Sequence, residues 1–137
     1  MSNRAYRFRV WDKKGKEMFR VIMLSFPVGR DEIIVSGRGG SISLHGHKEE
    51  KYLLQYTGLK DKNGKEIYEG DMVLVYRTDG DIFKGAVEYN PEFALFEITQ
   101  IKYRSLDAID ISLVDSRTRE LEVIGNVYEN PELLRKD

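Results

Sequence analysis

The chain has 137 residues, with 22 Lys and Arg against 23 Asp and Glu and a net charge of −1. That balance argues against a surface that grips nucleic acid all round, and the absence of cysteine excludes disulfides, thiolate zinc sites and thiol catalysis. Hydrophobic residues at 41% and charged residues at 33% fit one globular domain with a real core, and no apolar run approaches a membrane span.

The N-terminal residues carry positive charge, but Arg7 and Arg9 interrupt any apolar stretch, so no signal peptide is expected. Ala5 to Trp11 alternates, with Tyr6, Phe8 and Val10 on one side and Arg7, Arg9 and Trp11 on the other, the period of a half-buried strand. Lys13-Lys14-Gly15-Lys16 turns the chain, and Met18 to Phe26 returns as a second strand, giving an N-terminal hairpin. Pro27 to Glu50 reads as a loop-rich insertion with one or two short strands, the candidates being Asp31 to Val35 and Ser41 to His45. Tyr52 to Thr57 is a short aromatic and apolar strand bounded by Gly58. Asn63-Gly64 between two lysines predicts a two-residue type I′ hairpin, which needs φ > 0 at both central positions.

Glu69-Gly70-Asp71 is a second break, and Met72 to Tyr76 follows as an unbroken apolar strand. Ile82 to Tyr89 and Phe93 to Ile101, separated by Asn90-Pro91, complete a three-strand antiparallel meander. Gly85 in mid-strand suits the bend of a small barrel. Lys102 to Asp115 fits a short helix or turn from Ser105 running into a strand. Leu121 to Tyr128 is the closing strand with a bulge at Gly125, and Asn130-Pro131 opens a short terminal helix. Asp12-Lys13-Lys14-Gly15-Lys16-Glu17 echoes Asp61-Lys62-Asn63-Gly64-Lys65-Glu66, but the flanks differ, so these are two similar turns rather than a repeat.

Three segments carry a resemblance. Gln55 to Asp71, Arg7-Phe8-Arg9-Val10-Trp11-Asp12, and Val123 to Leu134 with its Gly125-Asn126-Val127-Tyr128-Glu129-Asn130 run resemble, in the same order, signatures of the YopX-like family of phage and prophage proteins. The resemblance implies a bacterial or phage origin and a cytoplasmic setting. It carries no catalytic residues with it.

Chemistry-bearing groups are sparse. His45 and His47 flank Gly46, and in a strand both imidazoles would share a face and could reach one metal; the plainer reading is two surface residues of a loop. Asp71 suits a turn that bonds its own backbone better than it suits catalysis. Gly37-Arg38-Gly39-Gly40 lacks the Lys-Ser/Thr of a phosphate loop. Arg4, Arg7, Arg9, Trp11, Lys13 and Lys14 interleave cations and aromatics in the manner of a single-stranded nucleic-acid surface, although an amphipathic strand has the same pattern. Met72, Leu74 and Tyr76 face one way and Val73 and Val75 the other, so both faces need cover, from the N-terminal hairpin with Trp11 or from another subunit.

The expected fold is therefore all-β: a single domain over 1–137, with the N-terminal hairpin and insertion in 1–51, a small SH3-like barrel in 52–130 and a short helical tail in 131–137. The expected role is a non-enzymatic accessory protein acting by self-assembly and contact with phage or host proteins, with no cofactor and no membrane. Binding of nucleic acid is the alternative, and an enzyme the last choice.

Overall fold

Eleven antiparallel strands and one 3-10 helix account for nearly all regular structure in the computed structural model, which describes residues 3–25, 32–37, 40–44, 51–100, 110–112 and 116–135. The chain forms two units, Met1–Gln55 and Tyr56–Asp137. The all-β expectation holds.

In the first unit, β1 (Phe8–Asp12) and β2 (Glu17–Ser25) form the expected hairpin, with Asp12 opposite Glu17. β3 (Glu32–Gly37) and β4 (Gly40–Leu44) extend it, and the first half of β5 (Lys51–Lys60) pairs with β1 on the other side. The insertion thus supplies two strands to a sheet. Gly40–Leu44 matches the weakly alternating candidate at Ser41 to His45, and its pairing with β3 fixes it as a strand. Among the described residues of this unit, Val10, Trp11, Val35 and Leu54 are the buried apolar ones.

In the second unit the sheet order is β10-β9-β8-β7-β11. It comprises β7 (Asp71–Arg77), β8 (Ile82–Asn90), β9 (Leu95–Gln100), β10 (Asp110–Ser112) and β11 (Thr118–Asn126). The meander β7-β8-β9 is as expected, and Gly125 marks a register shift in β11. The core gathers Val73 and Val75 from β7, Val87 from β8, Ile98 from β9 and Leu121 from β11. Ile67 from the short β6 (Glu66–Tyr68) joins them, and Phe83, Phe96 and Val123 pack around the cluster. Gly85 is buried where a Cβ would run into Ile98 and the Thr99 carbonyl, so it permits close packing of β8 on β9. Among the described residues the sheet runs from β10 at one edge to β11 at the other, and no closed barrel is found.

Four local expectations change. β5 does not stop at Gly58 but runs to Lys60, with residues 57–59 bulging opposite Ile67; the Thr57 hydroxyl donates to the Ile67 carbonyl at 2.8 Å. The Asn63-Gly64 turn is not type I′. Gly64 has φ 81°, but Asn63 does not share the left-handed region. Gly64 N–H donates to the Asp61 carbonyl and Asp61 N–H to the Lys65 carbonyl, which is a three-residue loop with glycine at its bulge. Phe93 and Ala94 lie in the β8–β9 loop, with Ala94 at φ 52°, and β9 begins at Leu95. The terminal helix is a 3-10 turn, Pro131–Leu134, and the Asn130 side chain turns back to Asn126 rather than capping it. Of the helix or turn from Ser105 running into a strand that is expected over Lys102 to Asp115, the strand is present as β10, and the helix or turn lies outside the described residues.

Candidate functional site

Two of the three family-like segments, residues 56–71 and Val123 to Leu134, meet in the second unit, while Arg7 to Asp12 belongs to the first. Asp61 is only 8% exposed. Its Oδ1 accepts from the N–H groups of Asn63 and Lys65 at 2.8 and 2.9 Å, and its Oδ2 accepts from Val123 N–H at 2.9 Å. Lys62 N–H donates to the Leu121 carbonyl at 2.8 Å. One carboxylate therefore folds its own loop and ties it to the edge of β11. Burial pushes the Asp61 carboxyl up, but the backbone donors and Lys65 together hold it below its ordinary value.

The second lock joins Tyr68-Glu69-Gly70-Asp71 to Asn126-Val127-Tyr128-Glu129-Asn130. Asp71, 1% exposed, accepts from Tyr68 N–H at 2.8 Å. Gly70 N–H donates to Val87 and its carbonyl accepts from Val127 N–H. Gly70 has φ 84°, and a Cβ there would lie 2.6 Å from the Tyr128 ring. Asn126 is buried, and its Oδ1 accepts from the N–H groups of Tyr128 and Glu129 while its Nδ2 donates to Glu129. The turn role expected for Asp71 is what the geometry displays.

Between the 61–65 loop and β11 lies a groove of about 300 Å³ flanked by Lys60, Lys62, Arg119 and Glu120. Beside it, Lys62 Nζ pairs with Glu122 Oε2 at 2.8 Å, and the Tyr76 hydroxyl donates to the same oxygen at 3.0 Å. Lys62 lies 4.7 Å from the Tyr76 ring centre and Arg119 5.9 Å. The hydrogen bond from Lys62 lowers the Glu122 carboxyl, and the same contact raises the Lys62 ammonium. Lys62 and Glu122 are 60 positions apart, so no local pattern marks them. The arrangement buttresses the loop.

The sequence-derived candidates divide. Arg4, Arg7, Lys13 and Lys14 are exposed, and Arg4 lies over the Tyr6 ring at 5.2 Å. Arg9 is half-buried, and Trp11, 8% exposed, belongs to the interior and has little ring surface on which to stack a base. Met72 is fully buried within its own chain, while Leu74 and Tyr76 are half-buried beside Glu122 and Lys62. His45 and His47 lie outside the described residues. Among those described, no cluster of His, Asp and Glu could hold a metal ion, and no helix is long and apolar enough to cross a membrane.

The tip of the β8–β9 hairpin stands out instead. Phe93 is 67% exposed, and Tyr89 and Leu95 are exposed beside it. Asn90 Oδ1 accepts from Glu92 N–H at 2.9 Å and Phe93 N–H at 3.4 Å, while its Nδ2 donates to Glu97 at 2.7 Å. Tyr89 and Phe96 meet edge to face at 5.5 Å. The loop is thus fixed from within while it holds apolar side chains outward. Glu88 and Glu97 sit directly opposite each other in the register just behind it.

A family model described as YopX protein matches residues 7–135. The crystal structure of protein EF1440 from Enterococcus faecalis is similar, with a TM-score of 0.55 and 30% identity over 97% of this chain and 100% of that one. No curated protein matches the chain.

Proposed function

From a chain that belongs to the YopX family, we propose an accessory protein that acts without catalysis, through self-assembly and protein contacts, in the cytoplasm of a bacterial host and of phage or prophage origin. The observation that carries this reading is the β8–β9 tip. Single exposed apolar residues are ordinary, but Phe93 in the braced loop and Tyr89 and Leu95 on the strands that flank it are all exposed at this one end of the hairpin, Tyr89 on one face and Leu95 on the other. Rigid aromatic side chains lose little freedom on binding, which is why they are enriched where proteins meet. The similar protein from Enterococcus faecalis supports the bacterial setting.

Light scattering or sedimentation of the native chain over a range of concentration tests the reading. The expected result is a mass that is a multiple of the chain's 15.9 kDa. A chain that stays at 15.9 kDa at high concentration removes self-assembly.

A second reading, nucleic-acid binding, draws on the register of the N-terminal sheet. Arg9 lies opposite Arg20, which places two guanidinium groups on one face. Its test is a mobility shift with single-stranded and duplex DNA at low salt. Replacing Arg7 and Arg9 by Gln is then expected to flatten the salt dependence by about 1.6–2 in slope on duplex DNA if both contacts are lost.

A further inference from the structure

The chain holds five asparagines, Asn3, Asn63, Asn90, Asn126 and Asn130. An asparagine converts itself when the backbone nitrogen of the next residue attacks its carboxamide carbon. Asn90 and Asn130 precede Pro91 and Pro131, whose nitrogen has no proton to give up. Asn126 is buried, its carboxamide is committed to Tyr128 and Glu129, and the β-branched Val127 follows it. Asn3 precedes Arg4, whose side chain crowds the nitrogen. Asn63 differs on each count. It is exposed, and among the described residues its carboxamide takes no hydrogen bond. It precedes Gly64, where even a Cβ would meet nothing within 4 Å. The attacking nitrogen is nevertheless held back. Gly64 N–H donates to the Asp61 carbonyl at 3.0 Å, and Asp61 Oδ1 accepts from the Asn63 and Lys65 N–H groups on either side. Attack needs that N–H released and the Asn63–Gly64 peptide turned toward the side chain, so the loop has to open first.

We propose that Asn63 is a site of self-modification by water, and that the Asp61 lock sets its rate. In the opened loop the Gly64 nitrogen gives its proton to solvent and bonds to Asn63 Cγ. The carboxamide nitrogen leaves as ammonia, and a succinimide ring remains in the main chain. Water then opens the ring at either carbonyl. One opening gives an ordinary aspartate. The other gives isoaspartate, in which the main chain runs through the former side chain and is one carbon longer. The 61–65 loop is closed tightly by the Asp61 N–H to the Lys65 carbonyl and cannot absorb that carbon. A lengthened loop cannot keep Asp61 on the N–H groups of Asn63 and Lys65 and on that of Val123 together. Isoaspartate therefore releases the loop from β11, whereas aspartate at the same position leaves the lock closed. The release runs one way, because the ammonia is lost.

The experiment ages the full-length chain in warm neutral buffer, with and without urea. Peptide mapping by mass spectrometry, with fragmentation that tells aspartate from isoaspartate, follows each asparagine. Asn63 is expected to convert ahead of the other four, and more slowly in the native chain than in urea. Asp61→Ala is expected to convert about tenfold faster than the native chain or more, because bonds to a charged acceptor no longer hold the loop shut. Circular dichroism checks that this variant is folded. Should it unfold, Glu122→Gln takes its place: it loosens the Lys62 tether from outside the loop and is expected to speed conversion a few-fold. Isoaspartate chains separated by ion exchange are expected to melt below the native chain, and Asn63→Asp to melt with it. Conversion at another asparagine first, or none in the native chain and the loosened variant while the chain in urea converts, overturns the site. Equal rates with and without urea, or an unmoved rate in a folded loosened variant, overturn the lock. An isoaspartate chain with the native midpoint overturns the release.

Discussion

Gly64 and Gly70 hold nearly the same backbone angle, φ 81° and φ 84°, in different surroundings. A Cβ at Gly64 would meet nothing within 4 Å, whereas one at Gly70 would press into the Tyr128 ring. Alanine at Gly64 therefore carries only the left-handed backbone cost of about 1–2 kcal/mol. Alanine at Gly70 adds overpacking of about 1–3 kcal/mol. Chemical denaturation of the two variants should place Gly70→Ala clearly below Gly64→Ala, and equal midpoints would show that Tyr128 gives way freely. Asp61 supports a second prediction at this scale. Its folded pKa lies below the ordinary 3.8, so the unfolded chain binds the proton more readily. The stabilisation is complete above pH 3.8 and is lost as pH falls through the lowered folded value. Asp61→Asn should be less stable near neutral pH and lose less stability on acidification. An unchanged acid limb in the variant would mean that other carboxylates set it.

At the scale of elements, turn chemistry was readable and apolar runs misled. Gly64, Gly70, Gly125 and Asn130-Pro131 each mark a real feature, because a positive φ, a bulge or a fixed proline φ leaves a local trace. Gly58 leaves the same trace and reads as a strand end, since a bulge and a terminus both break alternation. Phe93 reads as the start of a strand because it is apolar, yet the Asn90 side chain accepts from the N–H groups of residues 92 and 93 and holds Phe93 in the exposed loop. Hydrophobicity alone cannot tell a core residue from one held out for a partner. Phe93→Ser should accordingly leave the thermal midpoint almost unmoved, within about 0.5 kcal/mol of stability, while lowering the assembled mass. A large fall in the midpoint would place Phe93 among the packing residues of the hairpin instead.

At the scale of the whole molecule, the balance of 22 basic and 23 acidic residues argued against a surface uniformly suited to nucleic acid, but a single total cannot register that residues 1–55 hold 11 against 6, a net +5, and residues 56–137 hold 11 against 17, a net −6. The division becomes legible only once the unit boundary is known. The groove beside Lys62 and Glu122 was equally hidden, since contacts across 60 positions depend on the sheet order. The separated charge makes a prediction that apolar association does not share. Screening shortens from about 10 Å at 0.1 M salt to about 3 Å at 1 M. Salts that are excluded from protein surfaces strengthen apolar burial over the same range. If oppositely charged surfaces of successive copies meet, the average mass of the native chain at fixed concentration should fall as sodium chloride rises through that interval. The association rate should fall more steeply than the dissociation rate rises, because long-range attraction acts chiefly on encounter. If the contact were apolar between like-charged surfaces, salt would relieve repulsion and the mass would rise. A mass that climbs with salt is thus the result that sets the charge-separated assembly aside, even in a protein that does assemble.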